Sequence, residues 1–311
     1  MRILFWGTPL FALPSLRALS EEGHDVVGVV TQPDRPSGRG RKLTPSPVKE
    51  VAEEEGIFVL APEKPRGEDF LRQIRGLKPD LSVVVAYGHI LEPEVLAAPA
   101  GGSINLHASL LPRLRGAAPV NWAILRGHQM TGVSIMRMVT AMDAGPVLFQ
   151  TQEGIGSSET ATELSTRLSE VGAQALIEVL ALLAEDAAEE AEQDHSRATF
   201  APKVNREIAR VDWARPAVEL GWHLRGLDAV PGAWSVLGPD TVKLFCPAPE
   251  PRFTHGAPPG TVLEVDPAVG LLVACGSGAL RVGEIQSSGK KRMPVGAWLQ
   301  GHRLSDGIRF E

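Results

Sequence analysis

Short apolar runs alternate with helical patterns through the first half of the chain. Residues 3–6, 26–30 and 81–86 are predominantly apolar runs, and residues 11–19 and 48–55 between them carry apolar side chains at helical spacing. Apolar strands separated by helices of about ten residues are typical of a parallel sheet covered on both faces. We therefore predict an α/β domain with a doubly covered sheet, which two further strand-like segments extend: 102–106 and 133–138.

The pattern changes after a long helical stretch at 163–184, which begins with a capping box formed by Thr160 and Glu163. The segment that follows is polar and rich in Ala and Glu, and beyond it short alternating runs are separated by Gly and Pro. These runs predict a small β-barrel or sandwich, preceded by a helix near 217–224. The predicted organisation is a first domain at 1–190, a linker at 191–205 and a second domain at 206–311.

Composition removes several classes of protein. Of the 311 residues, 43% are hydrophobic and 22% are charged, which is too apolar for a disordered chain. No run approaches the roughly 20 apolar residues of a membrane span, and the N-terminus lacks a signal-peptide pattern. Cys246 and Cys275 are too few for a disulfide framework and lie in no metal-binding pattern. We expect a cytoplasmic protein without a metal site and without membrane association.

Nucleotide-binding loops are absent from the places where they would be needed. The turn after the first predicted strand is Gly7-Thr8-Pro9, which lacks the G-x-G-x-x-G of a dinucleotide site. Gly289-Lys290-Lys291 resembles the end of a phosphate loop but has no upstream Gly at the required distance and no following hydroxyl residue. The sequence therefore gives no support to chemistry driven by a nucleotide.

Candidate chemistry lies where the run at 102–106 gives way to a loop. Asn105 and His107 are two residues apart, so on a strand their side chains project from the same face. A carboxamide can donate to an oxyanion, and an imidazole can exchange a proton near neutral pH. Asp143, before a glycine turn at another strand end, could orient the imidazole. Convergence of the three residues indicates acyl-type transfer, whereas each alone is compatible with a hydrogen-bonded turn residue.

These residues and their neighbours resemble the folate-dependent formyltransferases, and most closely the members that act on initiator methionyl-tRNA. The resemblance covers essentially the whole chain. Besides Asn105-Leu-His107 and Asp143, it rests on these motifs: Gly7-Thr-Pro9, Thr31–Gly40, Pro45–Lys49, Val83–Gly88, Ser109–Pro112, Arg115–Pro119 and Gly289–Met293.

The resemblance implies transfer of the formyl group of 10-formyltetrahydrofolate to the α-amino group of methionyl-tRNA. It implies a Rossmann-like first domain with Asn105, His107 and Asp143 as catalytic residues, and a second, OB-like β-barrel domain that holds the tRNA. The same resemblance assigns the folate site to two segments: Ser109, Leu110, Leu111 and Pro112, and Val85, Ala86, Tyr87 and Gly88. No metal is implied, and we expect a monomer.

Basic residues gather in two places that suit a polyanion. The first is a loop bounded by prolines, with Arg35, Arg39, Arg41 and Lys42. The second is a short run of Lys290, Lys291 and Arg292. The resemblance assigns both sets to binding of the tRNA. A solvated surface loop and a common basic run are the alternatives. The net charge of -6 divides into 17 basic and 24 acidic residues over 1–190, two of each over 191–205, and 12 basic and 11 acidic residues over 206–311. This distribution permits a nucleic-acid partner on a limited surface.

Two other functions compete with this interpretation. A formyltransferase acting on a sugar-nucleotide amine would share the first domain but needs neither the basic loop nor the second domain. A non-catalytic RNA-binding protein would need none of Asn105, His107 and Asp143.

Overall fold

The computed structural model describes residues 1–37, 40, 42–305 and 307–311. The chain forms two compact units. The first comprises Met1–Pro119, Met130–Gly154 and Ser165–Pro202, and the second comprises Val120–Gln129, Ile155–Leu164 and Lys203–Glu311.

The first unit is built on strands and helices that alternate along the chain. Its strands are β1 (Arg2–Gly7), β2 (Asp25–Val30), β3 (Arg35–Ser37), β4 (Lys42–Thr44), β5 (Val59–Leu60), β6 (Leu81–Val85), β7 (Ser103–His107), β8 (Met130–Arg137) and β9 (Val147–Gly154). The helices up to the end of this unit are α1 (Leu13–Glu21), α2 (Pro47–Glu54), α3 (Glu68–Gly76), α4 (Pro93–Leu96), α5 (Pro119–Leu125) and α6 (Ala161–Ala184), of which α5 and the start of α6 belong with the second unit.

Seven of these strands form one sheet in the order β5-β2-β1-β6-β7-β8-β9. The five strands from β5 to β7 are parallel, which confirms the α/β prediction. β8 and β9 are antiparallel additions. Because Arg137 pairs with Ile104, the carboxyl end of β8 lies beside the amino end of β7. The expectation that β8 continues a parallel sheet was wrong, since an apolar run reports burial of a strand and not its direction.

Packing around β1 and β7 fixes the sheet. The Trp6 ring is fully buried, its Nε1 donates to Ser82 Oγ at 3.0 Å, and it meets the Tyr87 ring edge-on. On β7, the side chain of Leu106 lies against Gly172 of α6, where a Cβ would stand only 2.7 Å from Leu106 Cδ1. Glycine at 172 therefore lets the helix pack closely against the strand that carries the candidate chemistry.

The predicted capping box at the start of α6 is confirmed. The Glu163 carboxylate accepts from the Thr160 backbone amide at 2.9 Å, and Thr160 Oγ1 accepts from the Glu163 amide at 3.3 Å. These bonds satisfy backbone donors that the first helical turn leaves unpaired.

The second unit has an antiparallel sheet in the order β10-β11-β14-β13-β12, with β15 on β14. Its elements are α7 (Ala217–Leu227), β10 (Trp234–Leu237), β11 (Asp240–Glu250), β12 (Val262–Asp266), β13 (Gly270–Ala274), β14 (Ala279–Ser287), β15 (Met293–Pro294) and α8 (Val295–Leu299). Phe310 forms an isolated β-bridge with Leu237 of β10, and Arg309 forms one with Thr261, directly before β12. The last residues of the chain therefore pair with both edges of the sheet. A small β domain preceded by a helix was predicted and is present.

Within the described ranges, no helix has the length and apolar character that crossing a membrane requires.

Candidate active site

Asn105 and His107 lie on β7, between β6 and β8. Asn105 pairs with Met136 of β8 and His107 with Ser134, and only 9% of Asn105 and 6% of His107 is exposed. Their two-residue spacing places both side chains on one face of the strand, as predicted. Among the described residues, the Asn105 carboxamide has no hydrogen-bond partner, so its N–H donors remain available to a ligand.

The surroundings of His107 distinguish its two ring nitrogens. Nε2 lies 2.9 Å from the carbonyl oxygen of Leu114, and a carbonyl only accepts. Nε2 therefore carries hydrogen in the neutral ring, and Nδ1 is the nitrogen that gains and loses a proton. Nδ1 lies 3.7 Å from Oδ2 of Asp143. A carboxylate at this distance stabilises the imidazolium that forms when Nδ1 takes up a proton.

Asp143 reaches His107 from the loop between β8 and β9. Oδ2 accepts a hydrogen bond from the Gly116 backbone amide at 2.7 Å, and φ of Asp143 is +49°. A left-handed conformation costs a residue with a Cβ roughly 1–2 kcal/mol, so the surrounding structure must hold the turn. Position 145 of the same turn requires glycine, because a Cβ there would lie 2.0 Å from the Arg137 carbonyl oxygen.

The first segment assigned to folate, Ser109–Pro112, is held from β8 and β9. Ser134 Oγ donates to the Ser109 carbonyl at 2.6 Å and accepts from the Leu111 amide at 3.1 Å. Gln150 Nε2 donates to the Leu111 carbonyl at 2.9 Å, and Ser109 Oγ donates to the Arg113 carbonyl at 2.7 Å. These bonds fix the backbone of residues 109–112 directly after the strand that carries Asn105 and His107.

The second segment, Val85–Gly88, lies at the carboxyl end of β6. The Tyr87 carbonyl accepts from Thr8 Oγ1 and from Gln32 Nε2, each at 3.1 Å, so the ends of β1, β2 and β6 are tied together. Burial raises the pKa of the Tyr87 hydroxyl to about 12. The Tyr87 ring packs in the core against Trp6. At the carboxyl end of β6, Tyr87 therefore forms its hydrogen bonds to neighbouring loops through its backbone carbonyl.

The basic residues assigned to tRNA differ in their surroundings. Arg35 and Lys42 are exposed on the hairpin of β3 and β4, whereas Arg39 and Arg41 lie outside the described residues. In the second unit, Lys290 and Lys291 are exposed after β14.

Arg292, next in the chain, is engaged within its own unit. Nη1 lies 2.9 and 3.0 Å from the two carboxylate oxygens of Asp228, and Nε donates to Glu284. The guanidinium carbon lies 4.1 Å from the ring centroid of Phe245. Burial alone would lower the pKa of Arg292, but hydrogen bonds to Glu284, Cys246 and Asp228 outweigh it and raise the pKa above its ordinary value.

Comparison with known families identifies the protein family to which the chain belongs. The family model described as formyl transferase matches residues 1–180, and the model described as formyl transferase, C-terminal domain, matches residues 203–303. The chain belongs to the formyl transferase family. The first match contains β7 and the loop of Asp143, so the three candidate catalytic residues all lie within the formyl transferase domain.

This formyl transferase is similar along its whole length to curated relatives. It is 45% identical over 307 residues to methionyl-tRNA formyltransferase of Citrifermentans bemidjiense, covering 99% of this chain and 95% of the relative. It is 42% identical over 310 residues to methionyl-tRNA formyltransferase of Bacillus cytotoxicus, covering 100% of this chain and 98% of the relative.

Two solved structures share its fold at low sequence identity. HypX from Aquifex aeolicus in complex with tetrahydrofolic acid aligns with a TM-score of 0.68 at 19% identity, over 100% of this chain and 51% of HypX. WlaRD, a sugar 3N-formyl transferase, aligns with a TM-score of 0.69 at 15% identity, over 94% of this chain and 99% of WlaRD.

Sequence reasoning missed the polar residues behind the Asp143 turn of this formyl transferase. Gln193 is 7% exposed, and its Nε2 donates to the carbonyl oxygens of Asp143 at 3.0 Å and Gly145 at 2.7 Å. Arg115 is 6% exposed and donates to Gln193 Oε1. Arg115 could have been suspected from its place in a motif eight residues after His107. Gln193 carries no local signal, because it is one of several polar residues in a segment rich in Ala and Glu.

Proposed function

We propose that the chain transfers the formyl group of 10-formyltetrahydrofolate to the α-amino group of methionine on initiator methionyl-tRNA. The product is N-formylmethionyl-tRNA for translation initiation. The observation that carries this proposal is the 3.7 Å approach of Asp143 Oδ2 to His107 Nδ1, on the strand that also carries Asn105, whose carboxamide has no hydrogen-bond partner among the described residues. The similarity to methionyl-tRNA formyltransferases extends over both parts of the chain and supports the choice of acceptor.

Folate is the formyl donor in this proposal. HypX was crystallised with tetrahydrofolic acid, and WlaRD in the presence of 5-N-formyl-THF, and both share the fold. We assign the donor to the edge of the sheet formed by Val85–Gly88 and Ser109–Pro112. The hydrogen bonds from Ser134, Gln150 and Thr8 that hold these two segments support the assignment, because a pre-formed backbone binds a ligand without the cost of ordering a loop.

The reaction begins when the neutral α-amino nitrogen attacks the formyl carbon. The new N–C bond gives a tetrahedral centre with a developing negative charge on oxygen, to which Asn105 donates a hydrogen bond. Nδ1 of His107 takes the proton from the attacking nitrogen, and Asp143 stabilises the resulting imidazolium. The bond between carbon and N10 then breaks, and the proton passes to N10, so tetrahydrofolate leaves with the proton that the amine lost.

Contacts to the tRNA are assigned to exposed basic side chains. Arg35 and Lys42 on the hairpin of β3 and β4 would contact phosphates near the acceptor end, together with Arg39 and Arg41, which lie between them in the sequence and outside the described residues. Lys290 and Lys291 would contact the tRNA from the second unit. Arg292 is better explained as a structural residue, because its guanidinium is already bound by Asp228 and Glu284.

We place this activity in the cytoplasm, where charged tRNA is used, and propose a monomer. Asn105, His107 and Asp143 all come from one chain, so the catalytic set needs no second copy.

The test compares formyl acceptors with 10-formyltetrahydrofolate as donor. Charged initiator tRNA, charged elongator methionyl-tRNA and a nucleotide-linked amino sugar are each incubated with the purified enzyme, and formylated product is quantified. We expect formylmethionyl-tRNA with a clear preference for the initiator. A preference for the amino sugar would instead favour the chemistry of WlaRD and overturn the proposed acceptor. Binding of tRNA without formylation of any acceptor would point to the non-catalytic alternative.

A further inference from the structure

One side chain in residues 185–200 is buried, and it is polar. Gln193 is 7% exposed, while every other residue of that segment is exposed or partly exposed. The segment is anchored on either side of Gln193, since Ala191 pairs with Val147 and Phe200 with Arg115. Burial of a carboxamide is unfavourable unless its polar atoms find partners, so the contacts of Gln193 indicate what the segment does.

The two ends of the carboxamide bind different partners. Oε1 accepts from Arg115 Nη2 at 2.6 Å and from Arg115 Nε at 3.2 Å. Nε2 donates to the carbonyl oxygens of Asp143 and Gly145 at 3.0 and 2.7 Å. A guanidinium has only donors and a carbonyl only accepts. The orientation of the Gln193 amide is therefore determined by its partners.

Arg115 lies between two groups that contact the catalytic pair. The carbonyl of Leu114, before it, binds Nε2 of His107, and the amide of Gly116, after it, binds Oδ2 of Asp143. Among the described residues, the Arg115 guanidinium has no carboxylate partner, and its side-chain hydrogen bonds go to Gln193 and to Nδ1 of His195. Gln193 thus connects residues 114–116 to the turn at 143–145.

We propose that Gln193, oriented by Arg115, is a positioning residue that sets the Asp143 carboxylate relative to His107. This inference rests on the proposed formyl transfer and adds a residue that acts through Asp143 without touching substrate. The positive φ of Asp143 supports it, because a turn in that conformation relaxes unless bonds on its carbonyl side hold it. A displacement of about 1 Å at a reacting group is enough to lower a rate by about 100-fold.

The experiment uses two substitutions in the full-length enzyme. Gln193→Glu keeps an acceptor for Arg115 but has no N–H for the carbonyls of Asp143 and Gly145. Gln193→Ala removes both sets of bonds. Active sites are counted by titration with 5-formyltetrahydrofolate, and melting temperatures are recorded, so that kcat refers to folded enzyme only. Gln174→Glu, at an exposed position of α6, is the matched control.

We expect kcat to fall about 10- to 100-fold in both Gln193 variants, with KM for tRNA and for the folate changed less than about 3-fold. The Gln174→Glu control should match the wild type. If Gln193→Ala does not fold, the kcat and KM of Gln193→Glu decide the question.

Wild-type kcat per active site in Gln193→Glu, or a proportional rise in both KM values at unchanged kcat, would overturn the inference. The wild-type enzyme is assayed first with each acceptor, and the variants are assayed with the acceptor it uses. A wild type that formylates another amine contradicts the proposed function alone, while unchanged Gln193 variants contradict the positioning role alone.

Discussion

Oδ2 of Asp143 lies 3.7 Å from Nδ1 of His107, on the ring nitrogen opposite the one that binds the Leu114 carbonyl. The carboxylate therefore faces the nitrogen that exchanges the proton. Asp143→Asn keeps the size of the side chain but removes its charge, so we expect kcat to fall by about 10²- to 10⁴-fold with little change in KM for tRNA. Steady-state kinetics with 10-formyltetrahydrofolate and initiator methionyl-tRNA measures this effect. A kcat within about twofold of wild type would show that the carboxylate charge plays no part.

Arg35 and Lys42 provide a test of the tRNA assignment on the described part of the basic loop. Their joint replacement by Ala should raise KM for tRNA and make log KM less dependent on log salt, by about one unit of slope for each phosphate that the variant no longer binds. Folate affinity should not change. Arg72→Ala is the control, because Arg72 is an exposed cation on α3. A fall in folate affinity with an unaltered salt slope would contradict the assignment.

Arg292 and its neighbour Lys291 should behave differently when replaced by Ala. Arg292→Ala leaves the buried carboxylate of Asp228 without its ion partner, and because the Arg292 side chain is itself 34% exposed we expect the free energy of unfolding to fall by about 1–3 kcal/mol. Lys291 is exposed, so Lys291→Ala should change stability by less than about 0.5 kcal/mol. Urea titrations of both variants measure the difference. Equal stability of the two variants would mean that the Arg292 side chain contributes nothing.

His223 of α7 should make stability depend on pH. Burial, reinforced by the nearby Arg215, lowers the pKa of His223 from 6.5 to about 4, with Asp212 acting in the opposite direction. The unfolded chain therefore binds more protons than the folded one between these values, and stability is lost as pH falls below 6.5. From pH 7 to pH 5 the wild type should lose about 2 kcal/mol more than His223→Gln. Urea titrations at both pH values check this, and parallel losses in the two proteins would contradict it.

The sequence predicted the parts of the site that are local in the chain. The alternation along β7 placed Asn105 and His107 on one face, and the apolar runs identified the parallel strands around it. The route by which Asp143 reaches His107 was not predictable from the pattern, since β8 runs antiparallel and ends at the far end of β7. That meeting depends on the shape of the loop after β8, which apolar periodicity does not encode.

Long-range polar contacts were the other part that sequence could not provide. Gln193 meets Asp143 across 50 positions of the chain, and Arg292 meets Asp228 across 64. A run of three cations suggests a solvated surface, and only the fold shows that its last member is bound by carboxylates within the second unit.

The most direct test of the proposed mechanism is the turnover of purified His107→Ala, measured with 10-formyltetrahydrofolate and initiator methionyl-tRNA alongside a thermal melt. Loss of the proton carrier should reduce kcat by about 10²- to 10³-fold or more while the protein remains folded and binds 5-formyltetrahydrofolate. A folded His107→Ala enzyme with near-normal turnover would contradict the assignment of this site as the centre of formyl transfer.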